Sequence, residues 1–231
     1  MDERRSKMFI NYFKKWEGAS VLGIVLAAIG FLMLWLGWSY FSYIAAITLM
    51  PVGLAIFLYG STGRAGEADL AHEIEAARQS IAFEDVDMLN ELRRRGRLGK
   101  NAEDTVFEAY AMKSGLYMKK MKNGDLASSE FVTARMLLLS DSFLIKKKRF
   151  SFVCDESKTE SFEISFSDVK EITVERKSGS VKTIDKKPFS VKICRVKIVY
   201  GDQKTLYLPT KDNIYVDEFV EKVKRIMNDA T

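Results

Sequence analysis

Residues 18–63, GASVLGIVLAAIGFLMLWLGWSYFSYIAAITLMPVGLAIFLYGSTG, decide how the chain is built. These 46 residues contain no Asp, Glu, Lys, Arg or His, in a protein that is 29% charged. Such a gap marks a change of solvent. One unbroken helix of that length would run about 69 Å, twice the ~30 Å hydrocarbon core of a bilayer, so two crossings fit. The expected spans are Ala19 to about Trp38 and Phe41 to Gly60, with a tight turn near Ser39-Tyr40. A cleaved signal peptide needs a shorter apolar region and a small-residue cleavage site before a polar mature start. Here the apolar run simply continues.

Within the two spans, small residues recur every seven positions. The first carries Gly23, Gly30 and Gly37, and the second Ala46, Gly53 and Gly60. A seven-residue repeat keeps one seam facing a partner helix, and small residues on the seam let two backbones approach in lipid. Facing residues of an antiparallel pair have a constant sum of residue numbers. A sum of 83 pairs Gly23 with Gly60, Gly30 with Gly53 and Gly37 with Ala46. Pro51 removes the bond to the Ile47 carbonyl, for which the Thr48 hydroxyl is a candidate substitute donor.

The flanks set the expected orientation. Arg4, Arg5, Lys7, Lys14 and Lys15 precede the spans and Arg64 follows them, while the turn is uncharged. The positive-inside rule then places both termini in the cytoplasm, as a two-pass protein of a plasma or inner membrane. Trp35, Trp38, Tyr40 and Tyr43 cluster at the turn, with Trp16 and Tyr59 at the other end, as interfacial aromatics do. Residues 1–17 form a basic amphipathic segment. Met8, Phe9, Tyr12, Phe13 and Trp16 share one helical face, suited to the inner headgroup surface; a disordered basic tail is the alternative.

Residues 64–114 read as a helical linker. Leu70, Ile74, Ala77 and Ile81 keep a 4-3-4 spacing, and the basic end Arg93-Arg94-Arg95 precedes Gly96. One bent helix or two helices fit, either as an oligomerising stalk or docked on the domain that follows. Asn101 is an expected N-cap for a further helix, Ala102 to about Lys113, with Val106, Phe107 and Tyr110 as its apolar face.

Residues 115–231 change period. Expected strands are 116–122, 131–139, 142–153, 162–166, 169–176, 189–200 and 204–208. Asn123-Gly124 and Ser178-Gly179-Ser180 read as turns, 155–161 as a loop, and a switch of face near Cys194-Arg195 as a bulge. A closing helix carries Val216, Phe219, Val220, Val223, Ile226 and Met227 on one face, capped by Asp212 or Asn213. Cys154 and Cys194 read as free thiols of a reducing compartment.

Two stretches carry a resemblance. Ala134-Arg135-Met136-Leu137-Leu138-Leu139-Ser140-Asp141-Ser142-Phe143-Leu144-Ile145 looks like the strand–turn–strand opening of the pleckstrin-homology (PH)-like superfamily, in particular its GRAM and bacterial PH-type domains. Ile164-Ser165-Phe166-Ser167-Asp168-Val169-Lys170-Glu171-Ile172 is similar to a later strand, turn and strand of the same family, and the closing helix completes the pattern. The resemblance covers about 115–228. It implies a split β-barrel capped by a C-terminal helix, which binds lipid headgroups, peptides or neighbouring proteins; it does not imply catalysis. Lys119, Lys120 and Lys122 lie near the family's basic phosphoinositide pattern, without the arginine that completes it.

The expected fold is therefore an α+β membrane protein: helical hairpin, helical linker, antiparallel PH-like barrel and C-terminal helix. The run Lys146-Lys147-Lys148-Arg149 has two readings. It protects an edge strand, or it faces anionic lipid together with Lys119, Lys120, Lys186 and Lys187. The net charge of +5 is too diffuse for a nucleic-acid binder. His72 has no Cys or His at ligand spacing, and no phosphate loop or nucleophile elbow occurs, so neither enzyme, metal nor cofactor is expected. Two functions fit. One is a membrane-anchored module docking a protein partner or anionic lipid headgroups. The other is a homo-oligomeric assembly, pore-forming or membrane-remodelling, built from the hairpins.

Overall fold

The two long apolar runs are helical, so each satisfies its backbone hydrogen bonds within itself. In the computed structural model, which describes residues 3–14, 18–37, 39–63, 65–83, 86–98 and 104–230, these are α2 (Gly18–Leu36) and α3 (Tyr40–Ser61), preceded by α1 (Glu3–Lys14). The chain falls into two units, Met1–Gly66 and Glu67–Thr231.

In the first unit, α2 stops at Gly37, whose φ of +57° lies in the left-handed region that favours glycine. Ser39 then caps α3 in a reciprocal box with Ser42. The turn sits where the sequence places it. Pro51 lies inside α3, but the Thr48 hydroxyl bonds the carbonyls of Ala45 and Ile44 at 2.9 and 3.0 Å rather than that of Ile47. The apolar face of α1 also departs from expectation. Phe9, Tyr12 and Phe13 are buried by protein, so they are not offered to headgroups. The helix is tied to the end of the hairpin by Asn11 Nδ2 donating to the Gly63 carbonyl at 2.7 Å and the Ala65 amide donating to the Met8 carbonyl at 3.1 Å. Trp16 and Trp38 lie outside the described residues.

The second unit is α+β. It runs α4 (Glu67–Gln79), α5 (Val86–Arg94), β1 (Asp104–Tyr110), β2 (Met118–Lys120), β3 (Leu126–Ser128), β4 (Glu130–Leu138), β5 (Ser142–Ser151), β6 (Ser157–Ser165), β7 (Val169–Lys182), β8 (Pro188–Tyr200), β9 (Lys204–Thr210) and α6 (Ile214–Ala230). Three antiparallel ladders result: β1-β4-β5-β6, β7-β8-β9 and the small hairpin β2-β3. Strands β1 and β9 approach each other without joining the two larger ladders, so no barrel closes. Phe107, Met136, Phe143, Ile145 and Ile164 of the first sheet meet Val196, Ile198, Leu206 and Leu208 of the second, and α6 adds Val216, Val220 and Val223. Asn213 caps α6 through its side chain, and Arg176 of β7 holds Asp212 and Asp217 at the helix start. Those two carboxylates raise the Arg176 guanidinium above its ordinary range, Asp217 most.

Several expectations change here. The helix expected from Ala102 to Lys113 is strand β1, paired along its length with β4; Asn101 and Ala102 lie outside the described residues. Of the expected strand 116–122 only Met118–Lys120 forms. Strand β6 begins at Ser157, inside the expected loop. The expected turn at Ser178-Gly179-Ser180 is continuous strand, and β7 pairs with β8 without a shift from Glu171 to Lys182. There is accordingly no bulge at Cys194-Arg195; the one irregularity lies between Val169 and Glu171. A strand buried on different faces at its two ends mimics a bulge in sequence, since Val191 and Cys194 are both buried.

The stretch after Gly66 docks on its own sheet as two helices. Arg78 of α4 donates to Glu108 of β1 at 2.9 and 3.0 Å. Met88, Leu89 and Leu92 of α5 pack on Phe83, Leu137 and Leu139. Arg97 then reaches Asp141, Ser142 and Glu163 at 3.1, 2.6 and 2.6 Å, fastening the end of α5 to the sheet.

Candidate functional site

The helix seam is the first site. Ala19, Gly23 and Gly30 of α2 and Ala46, Gly53 and Gly60 of α3 are buried. A methyl group built on Gly53 would lie 2.5 Å from the Ala27 amide nitrogen and 2.8 Å from the Gly23 carbonyl oxygen; one on Gly60 would lie 2.6 Å from the Ser20 amide nitrogen. One on Gly23 would run into the Phe57 backbone and lie 2.7 Å from the Gly53 oxygen. These are backbone obstacles, so the two helices touch main chain to main chain. The glycines interleave rather than oppose. Gly23 faces Phe57, Gly30 faces Met50, Ala27 faces Gly53 and Ser20 faces Gly60, a sum of 80 in place of 83. Gly30 and Gly53 are therefore not partners. Gly37 leaves the seam as well: it ends α2, with the Tyr43 hydroxyl 3.1 Å from where its methyl would be.

The lysines form the second site, and the structure divides them. Strand β5 lies between β4 and β6, so Lys146-Lys147-Lys148-Arg149 belongs to an interior strand and not to an edge. Its side chains alternate. Lys146 donates to the Ala82 carbonyl at 3.3 Å and sits 5.0 Å from the centre of the Phe83 ring; Lys148 donates to the Ser80 hydroxyl at 2.8 Å. Both thus hold down the chain after α4. On the other face, Arg149 pairs with Glu130. Lys147 is half-buried, and its ammonium donates to the Tyr207 carbonyl of β9 at 3.1 Å, which fastens one sheet to the other.

Desolvation pushes the Lys147 ammonium below its ordinary range, outweighing the nearby Glu160 carboxylate. The folded protein then holds this proton less tightly than the unfolded chain. Stability should rise with pH from the lowered folded value to the unfolded one near ~10.4. Denaturant titrations of wild type and Lys147→Met between neutral and alkaline pH check this. The wild-type minus mutant difference should climb with pH, and a flat or falling difference would contradict the burial of the charge.

Lys119, Lys120, Lys186 and Lys187 are gathered elsewhere. The Gly115 amide donates to the Lys182 carbonyl at 2.9 Å and the Ile184 amide to the Leu116 carbonyl at 3.0 Å. The strand leading to Lys119 and Lys120 thus runs beside the β7–β8 turn that carries Lys186 and Lys187. Lys182 and Ile184 join them in the exposed tip, with Ile184 49% exposed, and Lys192 lies further down the same ribbon opposite Ser178. Sequence spacing does not single out Lys182 and Ile184, because the turn expected at 178–180 would end the strand before it reached them. The signal that finds them is charge counted segment by segment.

No family model, no curated protein and no solved structure matches the chain. His72 is exposed on α4, 3.9 Å from Glu73. Among the described residues no group of three or more His, Cys, Asp or Glu side chains is placed to hold a metal ion.

Proposed function

We propose that this chain is a membrane-anchored, non-enzymatic interaction module. α2 and α3 cross the membrane as a hairpin with both termini cytoplasmic, and a PH-like unit docks anionic headgroups or a protein partner beside it. The observation that carries the reading is the outward surface of the hairpin. The two helices have mean hydropathies of 2.4 and 2.1, yet only 17% and 11% of their most apolar windows are buried. A core helix of a water-soluble protein would be mostly covered. Here Val21, Ile24, Phe31, Trp35, Ile47 and Leu54 all face outward, an apolar surface far larger than a soluble monomer leaves in water.

The PH-like part of the reading draws support from strand order. One antiparallel meander of four strands, interrupted by the β2–β3 hairpin, is followed by a meander of three and then by a helix whose apolar face enters the core between them. The module reading is favoured over a homo-oligomer of hairpins because the small-residue seam is already used within one chain. Membrane fractionation tests it. The full chain should stay in the pellet after an alkaline carbonate wash, and a reporter fused after Thr231 should be active only in its cytoplasmic form. Release by carbonate would refute the anchor, and an extracytoplasmic readout would refute the orientation.

A further inference from the structure

Charge is distributed unevenly over the chain. Residues 113–125 and 178–193 contain eight lysines and two aspartates, net +6, while the whole chain is +5. The other 202 residues are therefore net −1. Hydrogen bonding brings the two segments together at one end of the second unit. Strand β9 covers β8 only from Cys194 to Tyr200, so Lys177–Lys182 and Pro188–Ile193 continue as a two-stranded ribbon. Its turn is built rather than loose. The Thr183 amide and hydroxyl donate to the Lys187 carbonyl at 2.9 and 3.3 Å, the Lys187 amide donates back to the hydroxyl at 3.0 Å, and Lys186 takes a φ of +61°. The turn presents Ile184 to solvent between Lys182 and Lys186. Lys120, Lys122, Lys182, Lys186, Lys187 and Lys192 are all exposed.

A second observation bears on what this tip meets. The Glu67 carboxylate accepts from the Lys122 amide at 3.4 Å, which sets the start of α4 beside the β2–β3 turn. Only residues 62–66 separate Glu67 from Ser61, the end of α3. That stretch reaches about 20 Å when fully extended. The β2–β3 turn that carries Lys122 thus lies beside the point at which the chain enters the second unit.

We infer that the β7–β8 tip, which carries Lys182, Ile184, Lys186 and Lys187, rests on the anionic leaflet of the membrane that holds the hairpin, with Lys120 and Lys122 of the adjoining β2–β3 hairpin adding to its charge. The inference rests on the membrane-anchored reading and moves the lipid contact away from Lys146–Arg149, whose side chains are engaged within the protein. An exposed apolar side chain flanked by lysines suits the headgroup boundary, where the isoleucine enters the acyl edge and the ammonium groups stay with the phosphates. Each lysine near such a surface strengthens the association about fivefold, and the attraction fades beyond roughly 8 Å at physiological salt. A short tether matters for that reason.

The test uses the full chain reconstituted in vesicles, with Cys154→Ser, Cys194→Ala and Ile184→Cys leaving one thiol for an environment-sensitive fluorophore. Flotation with the vesicles reports the hairpin. Quenching by a lipid-borne quencher reports the tip. In vesicles of neutral lipid with anionic phosphatidylserine the label should be quenched. Quenching should fall to the neutral-vesicle level at about 1 M salt, where the screening length is ~3 Å. The tip–membrane association it reports should fall by about fivefold per residue through the series Lys182→Gln, Lys186→Gln, Lys187→Gln. A label at Lys158→Cys on β6 should stay aqueous throughout. A chain that floats while its Ile184→Cys label stays aqueous on anionic vesicles overturns the inference and leaves the anchor standing. A label shielded by added RNA but not by anionic lipid also overturns it. A chain that fails to float removes the anchor and the inference together.

Discussion

Gly23→Ala should be the most damaging single methyl addition in the hairpin, followed by Gly53→Ala and Gly60→Ala, with Gly30→Ala the mildest. The order follows from what each new methyl meets. At Gly23 it runs into the Phe57 backbone, and at Gly53 and Gly60 it meets main-chain atoms of Ala27 and Ser20. At Gly30 the nearest atom is Met50 Cγ at 2.8 Å, on a flexible side chain, although the Met50 nitrogen follows at 2.9 Å. Backbone cannot step aside, so the helices must separate or slide. Overpacking of this kind costs about 1–3 kcal/mol, and sites blocked by main chain belong at the top of that range. Leucine at Gly23 or Gly53 should abolish the helix pairing altogether, since close packing is the main attraction between helices in lipid. Ala28→Leu, on an outward face, is the control and should change stability by about 0.5 kcal/mol or less. Thermal unfolding of the full chain in mild detergent reads the series. Equal tolerance at Gly23 and Ala28 would show that the seam does not join the helices.

The hairpin was legible because a long apolar run leaves a compositional mark: Gly18 to Gly63 lack every charged residue type. Its register was not. A spacing of seven fixes which face of a helix is buried, but it is silent on sliding one helix past the other. The sum of facing residues moved from 83 to 80, three residues, close to one helical turn of 3.6, so the same face stays buried after the slide. Gly37 accounts for part of the shift, because its role in ending α2 cannot be told by spacing from a place on the seam. The lysine run shows a different limit. Four consecutive basic residues read as surface, yet β5 is an interior strand, and each side chain reaches past the sheet to a carbonyl, hydroxyl or carboxylate. Such pairing depends on contacts with Ser80, Ala82, Glu130 and Tyr207, distant in sequence, and no local pattern records it. The basic tip was half legible. Lys186 and Lys187 stood out, while Lys182 and Ile184 were hidden by the turn expected at Gly179, which the sheet overrides.

Phe107→Ala should destabilise the second unit by about 3–5 kcal/mol, whereas Val106→Ala should cost about 1 kcal/mol. The contrast tests the largest difference between sequence and structure, the strand where a helix was expected. On a helix from 102 to 113, Val106, Phe107 and Tyr110 share one apolar face, and truncating either of the first two would uncover the same core. On β1 they alternate. Phe107 is 3% exposed, lies opposite Ala134 and meets the Phe219 ring of α6 edge-on at 5.3 Å. Val106 points the other way and is 37% exposed. Tyr110 packs on that second face against Phe131, ring centres 5.1 Å apart, and Glu108 there receives Arg78. A strand covered on both faces loses the alternation that announces a strand, which is why its period misled. The expected ratio of the two losses is about three or more, read by denaturant unfolding of the full chain. Comparable losses would return residues 104–110 to a helix. They would also remove the first strand from the four-stranded meander on which the PH-like reading depends.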